Sequence, residues 1–263
     1  MNITDYSIKR IYSITDDILL SCTNIVSLCN DKTNYPHSFF FDEEAFVSSP
    51  SNENIPEDEL PVMYIASNKD GVIGFISTYY LDDYIEVCSF VHPSLFGQGI
   101  FSATYNLFME DYAGYDIIAS CFPEDTELKS FLEHLGFKLK KSELLMKLEK
   151  EKKNSFSTDI EIKKNIYESE ICYTIYSNET IPIGEGYAFL DECSSTIHDI
   201  FVKEDFRGNG FGFKLVNYMI EDLFATKNSI LLHVTKENAA AYSLYKKLGF
   251  ETVEQLDYFL STL

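Results

Sequence analysis

Arg207-Gly208-Asn209-Gly210-Phe211-Gly212 lies between a strand-like run, Thr196 to Val202, and a helix-like run, Phe213 to Phe224. Glycines at alternate positions let a backbone turn tightly and keep its N–H groups clear of side chains. A helix opening there adds amides without intrahelical partners and the positive end of its dipole, so the junction suits a phosphate. Alone, such a loop also matches ordinary turns. Downstream, Ile230 to Val234 reads as a buried strand. Asn238, Ala241 and Tyr245 then recur at three- and four-residue steps, which places them on one helix face ahead of Leu248-Gly249-Phe250.

This order of strand, R-G-x-G-x-G, helix, strand, N-x-x-A-x-x-x-Y and L-G-F resembles the GNAT superfamily of acyl-CoA-dependent N-acyltransferases, most specifically over Val202 to Phe250. The resemblance implies a mixed α/β (α+β) fold, a central, mainly antiparallel sheet flanked by helices, with acetyl-CoA as co-substrate. It implies that Arg207, Gly208, Asn209, Gly210, Phe211 and Gly212 hold the pyrophosphate. The backbone of Ile200, Phe201 and Val202 then meets the acyl carbonyl and the pantetheine. Asn238 matches the family residue that hydrogen-bonds the pantetheine arm, although asparagine is also a good helix N-cap. Tyr245 matches the general acid that protonates the leaving thiolate; a core tyrosine would have the same spacing, and Tyr242 is an alternative acid.

Acyl transfer to an amine needs a neutral nucleophile, donors for an oxyanion and a proton for the thiolate. An amine with a pKa near 10 costs roughly 4 kcal/mol to deprotonate at neutral pH, so a positioned base is expected. His198 is the leading candidate. By the period of two, even-numbered side chains of Thr196 to Val202 share one face, with Asp199 on the other. Many family members carry a glutamate on this strand, and none occurs here. Glu185, Glu192 and a water relay stay open as bases, and a structural role stays open for His198. Cys193 has no positive neighbour in sequence, which argues against a covalent cysteine route.

The chain repeats itself. Val91-His-Pro-Ser-Leu-Phe-Gly97-Gln-Gly99 aligns with Val202-Lys-Glu-Asp-Phe-Arg-Gly208-Asn-Gly210 at an offset of 111 (202 − 91). Leu135-Gly136-Phe137 aligns with Leu248-Gly249-Phe250 at 113 (248 − 135). Two tandem copies of one domain follow, 1–150 and 155–263, with a linker near Asn154-Ser155. The copies differ where chemistry matters. Phe96 replaces Arg207, Phe101 replaces Gly212, Asp125 replaces Asn238 and Leu132 replaces Tyr245. The first copy reads as a degenerate scaffold that helps form the acceptor pocket, because the second is too short for the helices that follow the first strand of the family.

Composition bounds the rest. A 45% apolar and 15% aromatic chain can bury real cores. No apolar run spans a membrane, Met1 to Arg10 lacks a signal-peptide core, and the six cysteines are scattered. The expectation is a cytoplasmic protein with neither metal nor membrane partner. A net charge of −21 argues against nucleic acid. Yet Lys203 to Lys247 holds seven basic against five acidic residues, 7 − 5 = +2, where a polyanionic cofactor would sit. Asp42 to Glu59 holds seven acids and no Lys or Arg, so it is either a solvated loop or an attractor for a cationic amine. The acceptor is therefore expected to be a small-molecule or peptide amine. A CoA-binding module without catalysis is the competing reading. A nucleotide-binding Rossmann domain fits poorly, because Asn228 to Val234 lacks the acidic residue that motif requires. Oligomeric state is left open.

Overall fold

Short runs of alternating burial, punctuated by turn glycines, fold each repeat around a sheet. The computed structural model describes residues 5–32, 39–40, 60–81, 83–152, 161–177 and 180–261. The acidic stretch Asp42 to Glu59 and the Asn154-Ser155 linker lie outside them. The chain divides into two units, residues 1–140 with 258–263, and residues 141–257.

In the first unit β1 (Ser7–Ile11), β2 (Met63–Asn68), β3 (Gly71–Tyr80) and β4 (Ile85–Val91) pair antiparallel in that order, and β5 (Ile117–Cys121) runs parallel to β4. Successive side chains on β2 go to opposite faces. Met63 and Ile65 meet Cys22, Ile25 and Val26 of α1 (Asp16–Asn30). Tyr64 instead joins Phe108 of α2 (Ile100–Asp111) and Leu132 of α3 (Thr126–His134). Phe259, from the far end of the chain, completes that second core.

The second unit orders its strands β7 (Ile162–Ile166), β8 (Glu170–Ser177), β9 (Ile181–Leu190), β10 (Ser194–Val202), β11 (Ser229–Thr235), β6 (Lys138–Glu149) and β12 (Glu251–Ser261). β7 to β10 are antiparallel, β10 and β11 are parallel, and β11 meets β6 antiparallel. α4 (Phe211–Leu223) buries Leu215, Val216, Met219, Ile220 and Leu223 on the sheet, and α5 (Ala239–Leu248) adds Tyr245 and Leu248 to the same core. No helix separates β7 from β8, as the short second copy requires.

The border between units differs from the sequence reading, which ended the first copy at 150 and placed the linker near Asn154-Ser155. From Lys141 onward β6 belongs to the second unit, and its Leu144, Met146 and Leu148 are buried in that unit's core. Its alternation of lysine with apolar residues is the period-two pattern of a half-buried strand.

Candidate active site

β10 and β11 pair from Ser194–Ser229 to Ile197–Leu232, and their pairing ends there. Both strands continue, to Val202 and Thr235, so they part toward their carboxyl ends. Where they part, β10 carries a bulge. His198 faces Tyr187 of β9 but Phe201 faces Glu185, so three steps on one strand match two on the other. Asp199 takes up the extra residue with φ +48°, the one positive-φ non-glycine residue among those described. The bulge puts Asp199 and Ile200 out of register with β9.

The bulge corrects the expected face-sharing of His198, Ile200 and Val202. Ile200 packs into the core beneath α4, whereas His198 lies on the opposite side with Phe189 and Tyr187. Asp199, expected opposite His198, instead places Oδ2 3.2 Å from its Nδ1. A period-two argument fails across an inserted residue because each insertion inverts the alternation.

Two glycines of β9 make room for the bulge, and the sequence reading missed both. A Cβ on Gly184 would stand 2.5 Å from the Phe201 carbonyl oxygen, and one on Gly186 would stand 2.5 Å from Ile200 Cδ1 and 3.1 Å from Met219 Sδ. The first unit has Ile76 where an offset of 110 (186 − 76) places Gly186, and β3 and β4 pair there without a register shift. The spacing Gly-x-Gly on a strand was the available signal.

The glycine loop has the conformation its sequence implied. Gly208 and Gly210 adopt φ +76° and +79°, which a side chain resists, and Gly210 is the N-cap of α4. The ladder of α4 opens with the bond from Lys214 N–H to Gly210 O at 3.0 Å. The amides before it, at Phe211 and Gly212, lie at the positive end of the helix. Arg207 Nε donates to Val202 O at 2.8 Å, and its Cζ sits 5.7 Å from the Phe201 ring centre. The guanidinium is thus tied to the end of the bulged strand, with its two Nη groups left to meet an anion. Asn209 Nδ2 braces the turn by donating to the carbonyls of Arg207 and Phe206, at 3.1 and 3.3 Å.

Asn238 caps α5, its Oδ1 accepting from Ala241 N–H at 3.1 Å, which leaves its Nδ2 donors for another partner. Tyr245 is buried at 7% exposure, its ring edge-on to Phe250, and burial raises the phenol above its ordinary value. Among the described residues its hydroxyl has no hydrogen-bond partner. Tyr242, the alternative acid, three residues before Tyr245 on α5, packs against the same core and lines a cleft of about 410 Å³ with Leu144, Lys236, Ser243, Thr252 and Gln255. Cys193 is exposed in the turn before β10, six residues from Asp199 and so roughly 20 Å along the strand. Glu185 sits on β9 opposite Phe201, and Glu192 lies in the same turn as Cys193.

The first unit keeps the scaffold of this arrangement without its contents. Gly97 and Gly99 adopt φ +75° and +80°, and Ala103 N–H bonds Gly99 O at 3.0 Å. Beside that loop Phe96 is 60% exposed where the second unit has a guanidinium. Phe101 fills the place of Gly212, edge-on to Phe131 at 4.8 Å and stacked on Tyr105 at 5.4 Å. Asp125 performs the same cap as Asn238, accepting from Leu128 N–H at 3.0 Å, and Leu132 is buried where Tyr245 stands.

Residues 142–250 match the model of the acetyltransferase (GNAT) family. A 61-residue stretch is 48% identical to an uncharacterized N-acetyltransferase of Methanocaldococcus jannaschii, covering 22% of this chain and about a quarter (26%) of that relative. In fold, the chain is similar to a tandem GNAT protein from the clavulanic acid biosynthesis pathway, at TM-score 0.65 and 11% identity over 98% of both chains. A GCN5-related N-acetyltransferase from Sphaerobacter thermophilus follows at TM-score 0.62 and 11% identity, over 77% of this chain and 81% of the other.

Proposed function

We propose, for a chain whose residues 142–250 match the GNAT acetyltransferase family, that the protein transfers an acetyl group from acetyl-CoA to a primary amine on a small cationic molecule. The observation that carries the reading is the parting of β10 from β11 at the bulge. The phosphate-suited loop opens onto it under α4, and His198 stands on the other side of the sheet. A thioester laid along the Arg207–Gly212 loop then presents its carbonyl where an amine arrives from the His198 side. Proximity of that kind replaces a bimolecular encounter by a positioned one.

The amine nitrogen attacks the thioester carbon, forming the C–N bond, and the C–S bond breaks as the tetrahedral oxyanion collapses. The amine proton goes to His198, and the departing thiolate takes the Tyr245 phenol proton, which solvent replaces. Burial keeps that phenol protonated until a sulfur anion forms beside it. The distance of Cys193 from the bulge favours direct attack over a cysteine-bound intermediate. The face that bears His198 favours a cation: Glu170, Asp199 and Glu185 supply carboxylates, and Phe189 and Tyr187 supply ring faces.

The test is thiol release from acetyl-CoA against a panel of small cationic amines, neutral amines and peptides. Turnover is expected with the cationic amines, and Tyr245→Phe is expected to lower kcat by about 10²-fold with CoA affinity little changed. CoA binding without turnover on any amine would make the protein a binding module instead. Equal turnover in the Tyr245→Phe variant would return that residue to the core.

A further inference from the structure

Acetyl transfer to a cationic amine strips two protons from one nitrogen. A primary ammonium has a pKa of about 10, so at neutral pH roughly one molecule in a thousand carries the lone pair that attacks. One proton must leave before the C–N bond forms, and a second as the tetrahedral intermediate collapses. His198 takes the second, and the opening between β10 and β11 holds another imidazole for the first. Ile197 and Leu232 are the last residues paired between these strands, so His198 and His233 are the next residues along each. Leu232 and Val234 are buried in the core with α4 and α5, which turns His233 to the opposite face of the sheet, the face that bears His198.

β6 prepares that imidazole. Leu145 pairs with His233, and Glu143, two residues before it on β6, shares its face. Glu143 Oε1 stands 3.2 Å from His233 Nδ1, while Oε2 meets Lys141 Nζ at 3.0 Å. Lys141 thus holds the carboxylate, which presents its other oxygen to the ring. The His233 side chain is 57% exposed, so a proton taken up there can pass on to water.

We propose that His233 is a second general base, which takes the ammonium proton before attack, with Glu143 as its positioning residue. The ammonium N–H bond breaks and its electron pair stays on nitrogen as the nucleophile. The proton bonds to the ring nitrogen that does not face Glu143, and then leaves to solvent. This role rests on the acetyl-transfer reading of the opening. The charged and titratable groups around the ring are Glu143 and Lys141 on β6, Glu254 on β12, and His198 across the opening. The contact with Glu143, helped by the charge of Glu254, raises the imidazole above its ordinary 6.5 against the effect of burial, which suits a base working near neutral pH.

The test compares thiol release by the full-length chain on the most active cationic amine and on its alkoxyamine analogue, whose weakly basic nitrogen is already neutral at pH 7. His233→Gln should lose about tenfold to a hundredfold in kcat/KM on the amine and stay within about twofold of the parent on the analogue, with the KM for acetyl-CoA little changed. The deficit on the amine should narrow as pH rises toward 9, because hydroxide then replaces the base. Glu143→Gln should move the acid limb of kcat/KM on the amine to lower pH, since an imidazolium without its carboxylate gives up its proton more readily. The ring-proton NMR titration of His233, assigned by its disappearance in His233→Gln, should show the same displacement without turnover. Equal losses on the two acceptors, no loss on either, or a deficit that stays constant from pH 7 to 9 would overturn the role of His233 and leave acetyl transfer standing. No turnover by the parent on any amine would overturn the acetyl-transfer reading and this step with it.

Discussion

Among single residues, the candidate site combines side chains fixed by the fold with groups left over for chemistry. Asn238 spends Oδ1 on a cap, Arg207 spends Nε on Val202, and each keeps donors beyond that structural bond. A carboxylate elsewhere in the unit shows how pH should act on stability. Glu143 of β6 is held down to about 2, first by its contact with His233 of β11 at 3.2 Å and also by Lys141 at 3.0 Å. His233 is raised above its ordinary 6.5 by the same contact. A depressed carboxylate stabilises the fold above its ordinary 4.5 and loses that contribution as pH falls toward 2. A raised histidine contributes below 6.5 and loses its share as pH rises. The pair should therefore stabilise most between about pH 4.5 and 6.5. Melting temperatures measured from pH 2 to 8 should show the parent's margin over Glu143→Gln largest in that window. A margin that ignores pH would mean the pair adds nothing.

Among the elements, the bulged β10 and the glycines of β9 form one device. The bulge inverts the strand's alternation, sends Ile200 under α4 and His198 to the far face, and fits only because Gly184 and Gly186 have no Cβ. Gly184→Ala would meet the backbone oxygen of Phe201, which cannot rotate away as a side-chain tip can. The expected result is a stability loss of about 1–3 kcal/mol, as for other overpacked positions, with a larger proportional fall in kcat because the loop and bulge move. Chemical denaturation and steady-state rates measure both. The sequence showed β10, the glycine loop, α4 and α5 through periodicity and turn chemistry. It did not show the bulge, because an inserted residue leaves the pattern of apolar residues almost unchanged and alters only the register with a neighbouring strand.

For the molecule as a whole, the repeats and the folded units do not coincide. β6 lies in the first copy but belongs with the second unit from Lys141, and residues 258–263 lie in the second copy but belong with the first unit. A fragment of residues 155–263 would therefore lack Leu144, Met146 and Leu148, which are 5%, 0% and 1% exposed. At about 2 kcal/mol for each buried side chain, that loss rivals the roughly 5–15 kcal/mol net stability of an ordinary domain. The fragment should not fold, whereas one spanning 141–261 should give a cooperative melt; a stable, cooperative 155–263 fragment would show β6 to be dispensable. The sequence alone determined the two copies, the phosphate-suited loop, the helix face bearing Asn238 and Tyr245, and the loss of these groups from the first copy. Each of those depends on residues close together along the chain, where glycine spacing and helical period act directly. The tertiary structure alone decided which unit receives β6, where β10 bulges and which carboxylate meets His198. These are settled by backbone pairing between distant segments, and a peptide N–H or C=O is the same group at every position, so no side-chain pattern names its partner.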